Sequence, residues 1–194
     1  GLFLGMLIEA NNSTKISDLY TQSEISLTDA SAAARLTEEL ELDCEAIRKA
    51  NIDLADRVYE EAKLLELYED SGKLTNSMEL LHKKYDLLRT LLWSSNQKSL
   101  ERCENYNLLV YLYQYGSEET EVKATQNVWS KILLEVRKEN ENILLLPIAA
   151  NQNLTSLDLL VEEHQIQRLP ALVINNNQVL YNIENPEVVR NFLG

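Results

Sequence analysis

The sequence predicts an α+β protein in which a long, coiled-coil-like antiparallel helical hairpin precedes an α/β domain. In the first half, apolar residues recur at steps of three and four, the period of a helix that buries one face. After residue 105, short runs rich in Leu, Val and Ile alternate with helical patterns, which is typical of an α/β domain. We therefore divide the chain into residues 1–23, 24–104 and 105–194.

The composition limits the partners of this protein. Hydrophobic residues make up 45% of the 194 residues, which is enough for a sizeable core. The net charge of −13 repels nucleic acid and anionic lipid headgroups, so we expect neither as a partner.

The chain opens with an uncharged apolar run, Gly1–Ile8, followed by the polar segment Asn11–Thr14. One interpretation is a buried first strand or helical turn of a soluble domain. The other is the trailing edge of a membrane span or signal segment, followed by a polar linker. We favour the second, which predicts an N-terminal membrane anchor.

One helix is predicted from residue 24 to about residue 70, with a buried apolar stripe that includes Leu36, Leu40, Cys44 and Leu54. Gly72 suits the position after its end. A second is predicted from Thr75 to Glu104. Two helices of this kind joined by a short turn pack side by side in opposite directions. The residue numbers of any two facing positions then add up to about the same value. A turn near residues 72–73 then places Asn51 opposite Ser95 or Asn96, as one polar layer in an apolar seam.

The same register brings Cys44 opposite Cys103, and these are the only cysteines of the chain. They are either two buried free thiols or a disulfide that closes the open end of the hairpin. We favour the disulfide because a chance match of the only two cysteines is improbable. A structural disulfide predicts an extracytoplasmic location.

The first predicted helix is longer than the second, so residues before about Leu42 have no partner within the hairpin. This overhang could lean on the C-terminal domain, form homo-oligomers or act as a stalk from a membrane. The sequence does not choose between them.

The segment from residue 105 reads as β-α-β-α-β-β-α, in which Ser117 is the predicted N-cap of the first helix. The stretch "HQIQRLPALVINN" resembles the segment before the penultimate strand of the thioredoxin-like fold superfamily. That resemblance implies a cis peptide bond between Leu169 and Pro170, facing the loop after the first strand. The alternative is a trans proline at the start of an edge strand.

The sequence departs from the superfamily where the catalytic cysteines would lie. The loop after the first strand reads "YQYGSEETEV", and no cysteine follows Cys103. The resemblance therefore implies a redox-inactive member that binds other proteins. The candidate binding groove comprises Tyr115, Gly116, Ser117, Glu118, Leu169 and Pro170.

Other chemistry finds little support in the sequence. His82 and His164 are predicted to be solvated surface residues, and no cysteine–histidine cluster has zinc spacing. We therefore expect no metal, no cofactor and no catalytic constellation. Asn11, Asn12 and Asn153 lie in sequons and would be glycosylation sites if the protein is exported.

The sequence thus predicts a non-catalytic, extracytoplasmic protein that acts in protein binding or scaffolding and is anchored to a membrane at its N-terminus. One alternative is a thiol–disulfide oxidoreductase that uses the atypical pair Cys44 and Cys103. Another is a structural subunit of a cell-surface assembly, with homo-oligomers formed through the first helix.

Overall fold

In the computed structural model, which describes residues 2–69 and 76–193, three helices precede a small mixed sheet and its own helices. The first three are α1 (Leu2–Glu39), α2 (Cys44–Glu69) and α3 (Asn76–Arg102). The remaining elements are β1 (Asn107–Tyr113), α4 (Thr120–Glu139), β2 (Ile143–Ala149), α5 (Thr155–Glu163), β3 (Ala171–Ile174), β4 (Gln178–Leu180) and α6 (Pro186–Arg190). The predicted α+β class is confirmed, as is the order of elements after residue 105.

The prediction of one helix over residues 24–70 is wrong, because the chain leaves the helical conformation between α1 and α2. Asp43 begins α2 as its N-cap, since its Oδ1 accepts a hydrogen bond of 2.8 Å from the Ala46 N–H. Leu36 and Leu40, assigned to the buried stripe from the sequence, are 48% and 47% exposed. The apolar stripe therefore does not continue from α1 into α2.

Helix α1 packs alongside the other two helices. Glu24 pairs with Lys84, and the Glu38 carboxylate lies 3.1 Å from the Lys98 ammonium. Both pairs are separated by 60 positions, so α1 and α3 run parallel. The inward face of α1 consists of mostly small residues, namely Leu19, Ser23, Ser26 and Ala30.

The helical half is therefore a three-helix bundle. The inference that residues before Leu42 have no partner within the hairpin is wrong, because α1 packs on both α2 and α3. The polar segment Asn11–Thr14, predicted as a linker, lies within the helical span of α1. Among the described residues, no helix contains a stretch long and apolar enough to cross a membrane.

Helices α2 and α3 form the predicted antiparallel pair. Asn51 Nδ2 donates a hydrogen bond of 2.7 Å to Asn96 Oδ1, and the Tyr106 hydroxyl donates to the same oxygen at 2.5 Å. The predicted pairing of Asn51 with Asn96 is confirmed. The turn predicted around Gly72 lies outside the described residues.

The sheet has the strand order β2-β1-β3-β4. Strand β1 is parallel to β2 and antiparallel to β3, and β3 is antiparallel to β4. Helices α4 and α6 contribute buried residues to one face of the sheet, whereas α5 and the bundle pack on the other.

The core runs without interruption from the bundle into the sheet. Leu88, Leu92 and Trp93 of α3 belong to the same buried cluster as Leu108 and Val110 of β1. The predicted division at residue 105 separates the last bundle helix from the first strand, whereas the apolar core extends across it. Helix α3 is therefore shared between the two halves.

Replacement of Asn96 by Ala should destabilise the protein by about 2–3 kcal/mol, because it leaves the buried polar groups of Asn51 and Tyr106 without their acceptor. Urea unfolding followed by circular dichroism measures this change. Ser95→Ala, on the adjacent, half-buried position, is the control and should change stability by less than about 0.5 kcal/mol. Equal effects of the two substitutions would contradict a structural role for the polar layer.

Candidate functional site

Cys44 and Cys103 form the predicted disulfide, with 5.4 Å between their Cα atoms. Cys44 is the first residue of α2 and Cys103 follows the last residue of α3, so the bond closes the open end of this pair. The hypothesis of two free thiols is wrong. In the chain-entropy model, closing a loop of this length stabilises the fold by about 4 kcal/mol.

The peptide bond between Leu169 and Pro170 is cis, as the resemblance implied. Pro170 directly precedes β3, whose first residue, Ala171, pairs with Leu112 near the carboxyl end of β1. The cis bond therefore lies at the same end of the sheet as the loop that follows β1.

Side-chain amides hold that loop in place. The Tyr115 N–H donates to Asn151 Oδ1 at 2.9 Å, and Asn151 Nδ2 donates to the Tyr115 carbonyl at 2.8 Å. Gln126 makes the same two-bond contact with the backbone of Gln114, at 2.7 and 3.0 Å. Gly116 follows with φ +65°, a conformation that favours glycine.

The prediction that Ser117 caps the next helix is wrong. Helix α4 begins at Thr120, and Glu119 occupies the N-cap position without a side-chain hydrogen bond. The reason is that the chain first makes the left-handed turn at Gly116, which delays the helix. Ser117 is half-buried, and Glu118 is exposed.

A cavity of about 410 Å³ lies between the bundle and the elements β1, β2 and α4. Tyr115 and Gly116 of the predicted groove are among its described lining residues, whereas Leu169 and Pro170 are not. The predicted groove is therefore divided into two parts. Tyr115 and Gly116 lie at the edge of the cavity, and Leu169 and Pro170 form the cis-proline turn outside it. Five lining residues are tyrosines: Tyr59, Tyr85, Tyr111, Tyr113 and Tyr115.

His82 lines this cavity and is only 8% exposed, so the prediction of a solvated surface residue is wrong. The reason is that α3 packs its His82 face against the end of β2. Its Nδ1 lies 3.3 Å from Asp86 Oδ2, and its ring centre lies 4.1 Å from that of Tyr115.

The Asp86 carboxylate is fully buried and shared among three partners. Its Oδ2 faces His82, whereas its Oδ1 accepts a hydrogen bond of 3.0 Å from the Ala149 N–H. Arg89 Nη1 lies 3.6 Å from the same Oδ1. These contacts compensate the cost of burying the charge.

Sequence reasoning missed this cluster, although a signal was present. Positions 82, 86 and 89 are spaced by four and three, which places them on one face of a helix. Without the sheet, nothing in the sequence distinguishes a solvated face from a buried polar one.

The wall of the cavity beside this cluster carries hydrogen-bond donors. They come from the Arg89 guanidinium and from the hydroxyl groups of the lining tyrosines.

A second buried polar contact lies behind the cavity. Ser26 Oγ donates to Glu61 Oε1 at 2.9 Å, which joins α1 to α2. Glu61 Oε2 and the Tyr85 hydroxyl make no hydrogen bond of ordinary geometry among the described residues, although the two side chains interact with each other. Burial raises the pKa of Glu61 above its ordinary value, and burial also raises the pKa of Tyr85.

His164 is half-buried and not a solvated residue as predicted. Its ring stacks on Trp93 with 5.1 Å between ring centres, and its Nε2 lies 3.2 Å from Gln97 Nε2. Because the end of α5 thereby packs on α3, burial lowers the pKa of His164.

The remaining candidates lie elsewhere. Asn153 is exposed, with φ +54°, in the loop between β2 and α5. Asn11 and Asn12 lie in α1, and their side chains are outside the described part of the chain. Within the described residues, no group of three His, Cys, Asp or Glu side chains could hold a metal ion.

Comparison with protein-family models, with curated proteins and with solved structures finds no match for this chain.

Replacement of Glu61 by Gln should stabilise the protein more at pH 8 than at pH 4.5. The pKa of Glu61 is raised in the fold above 4.5. The folded state therefore binds the proton more tightly, and stability from this group is present below pH 4.5 and lost as the pH rises through the folded pKa.

Thermal unfolding of both proteins at the two pH values tests this. The melting temperature of Glu61→Gln relative to the parent should increase with pH, whereas the exposed neighbour variant Glu60→Gln should show no such trend. A difference that decreases with pH would contradict the assigned direction.

Proposed function

We propose that this chain is a non-catalytic, thioredoxin-like binding protein that works outside the cytoplasm. The observation that carries the proposal is the use of both cysteines in a bond remote from the cis-proline turn. Its partner is a protein, bound at the surface formed by residues 115–118 and the turn at Leu169 and Pro170, here called the cis-proline surface.

The arrangement of the sheet supports the thioredoxin-like assignment. A β-α-β unit with parallel strands is followed by a helix, an antiparallel β-hairpin and a final helix. The cis bond at Pro170 lies beside the loop after β1, as expected from the resemblance.

The position of the disulfide supports the lack of redox activity. Cys103 precedes the amino end of β1, whereas the cis-proline surface lies at the carboxyl end. Seven strand residues span roughly 20 Å, so the disulfide cannot face the turn. The loop itself carries Ser117 and the exposed Glu118, and neither side chain performs thiol exchange.

The disulfide also supports the proposed compartment, because structural disulfides persist in oxidising environments. The N-terminal membrane anchor is part of the same proposal and rests on the uncharged run Gly1–Ile8.

The disulfide should behave as a structural bond, with a reduction potential below about −300 mV in glutathione and dithiothreitol redox buffers. The physical reason is that the bond stabilises the fold by about 4 kcal/mol in the chain-entropy model, so reduction has to overcome this free energy. Quenching followed by intact-mass analysis with thiol labelling measures the oxidised fraction. Exchange with glutathione at a potential typical of an oxidoreductase would favour the alternative of an atypical Cys44–Cys103 enzyme.

Partner binding should localise to the cis-proline surface. A photo-reactive amino acid in place of Glu118 should cross-link a discrete protein when the full chain is expressed in its own cell type. The same group in place of Lys138, an exposed residue at the far end of α4, is the matched control and should not. Equal cross-linking from both positions would contradict binding at this surface.

A further inference from the structure

The cavity between the bundle and the sheet differs in charge from the rest of the molecule. The chain has 31 acidic and 18 basic residues, yet the described lining residues include Lys63, His82 and Arg89 and no Asp or Glu. Lys63 is exposed at the mouth, whereas Arg89 is 5% exposed. An anionic group entering the cavity would therefore first meet Lys63 and then the Arg89 guanidinium.

Arg89 is only partly neutralised. Its one ion pair among the described residues is the 3.6 Å contact with Asp86 Oδ1, which exceeds hydrogen-bond length. That oxygen already accepts from the Ala149 N–H, and the other carboxylate oxygen faces His82. The guanidinium therefore retains donors for a second carboxylate, which arginine binds in a bidentate manner.

The remainder of the lining suits a flat, apolar body. Tyrosine rings surround the space, and Leu133, Leu145 and Pro147 provide aliphatic contacts. Tyr85 is 1% exposed, and because its hydroxyl interacts with the buried Glu61 carboxylate, we expect the ring of Tyr85 to provide its contact with a ligand. The volume of about 410 Å³ lies within the range of sites that enclose small molecules.

We propose that this cavity is a binding site for a small aromatic monocarboxylate, with the carboxylate on Arg89 and the ring among the tyrosines. A ligand with a single negative charge fits, because the ion pair with Asp86 already neutralises part of the positive charge of Arg89. A phosphate dianion would require further positive charge. The N-terminus of α4 does not provide it, because α4 starts six residues before its first lining residue, Gln126. This site adjoins the cis-proline surface, with which it shares Tyr115 and Gly116, and its binding of a small molecule does not depend on the proposed protein partner.

The test uses the full chain and ligand-observed NMR with benzoate, 2-naphthoate and indole-3-acetate, each beside its neutral amide. Inorganic phosphate is added in a separate arm. We expect at least one carboxylate to bind with a Kd below about 1 mM and at least about tenfold more tightly than its amide. Binding of none below about 10 mM, or equal binding of acid and amide, would overturn the proposal.

Three variants test which residues carry the interaction. Arg89→Met should reduce affinity at least about tenfold, since it removes the bidentate donor. Because Arg89 contacts the buried Asp86, this variant could unfold, so Lys63 provides an independent test at an exposed position. Lys63→Gln and Lys63→Glu should weaken binding stepwise, by about two- to tenfold.

The control is Lys49→Gln, which makes the same charge change on the exposed side of the same helix, 14 residues or about 21 Å away. It should leave affinity unchanged. If the Lys49 and Lys63 variants weaken carboxylate binding equally, the effect depends on net charge alone and the proposed site is overturned. Displacement of the carboxylate by inorganic phosphate at lower concentration than the carboxylate itself would likewise reject a monocarboxylate site.

Discussion

The buried carboxylate of Asp86 holds the helical half and the sheet together. It extends from α3 to the backbone N–H of Ala149 at the end of β2, so it fixes the distance between a bundle helix and an edge strand. The same carboxylate positions His82 and Arg89 at the wall of the cavity. Because a buried charge is tolerated only when it is well paired, these contacts depend on one another.

Helix α3 can be shared because it has two buried faces. Asn96 faces α2 and sets the register through Asn51, whereas Trp93 faces the sheet half and donates a hydrogen bond of 3.0 Å to Asn176. The disulfide fixes the last turn of α3 against the first turn of α2. The bundle thus positions the residues of α2 and α3 that line the cavity beside β1.

Much of this arrangement is readable from the sequence. Periodicity alone predicts α2 and α3, because a helix that buries one face repeats its apolar residues every three or four positions. The register of that pair follows from two polar residues and two cysteines, and Asn51, Asn96, Cys44 and Cys103 lie where it places them. The β-α-β-α-β-β-α order and the cis bond at Pro170 follow in the same way from local patterns and a resemblance.

Only the tertiary structure decided what lies against each face. The three- and four-residue period predicts one continuous buried face that includes Leu36 and Leu40, but both side chains are half exposed. The chain instead turns before Asp43, which caps α2, and the small residues of α1 pack against α2 and α3. The sequence determined the elements, since propensity, period and capping act between near neighbours. It could not show that His82 and Arg89 are buried, because their environment comes from a strand some 60 residues later in the chain.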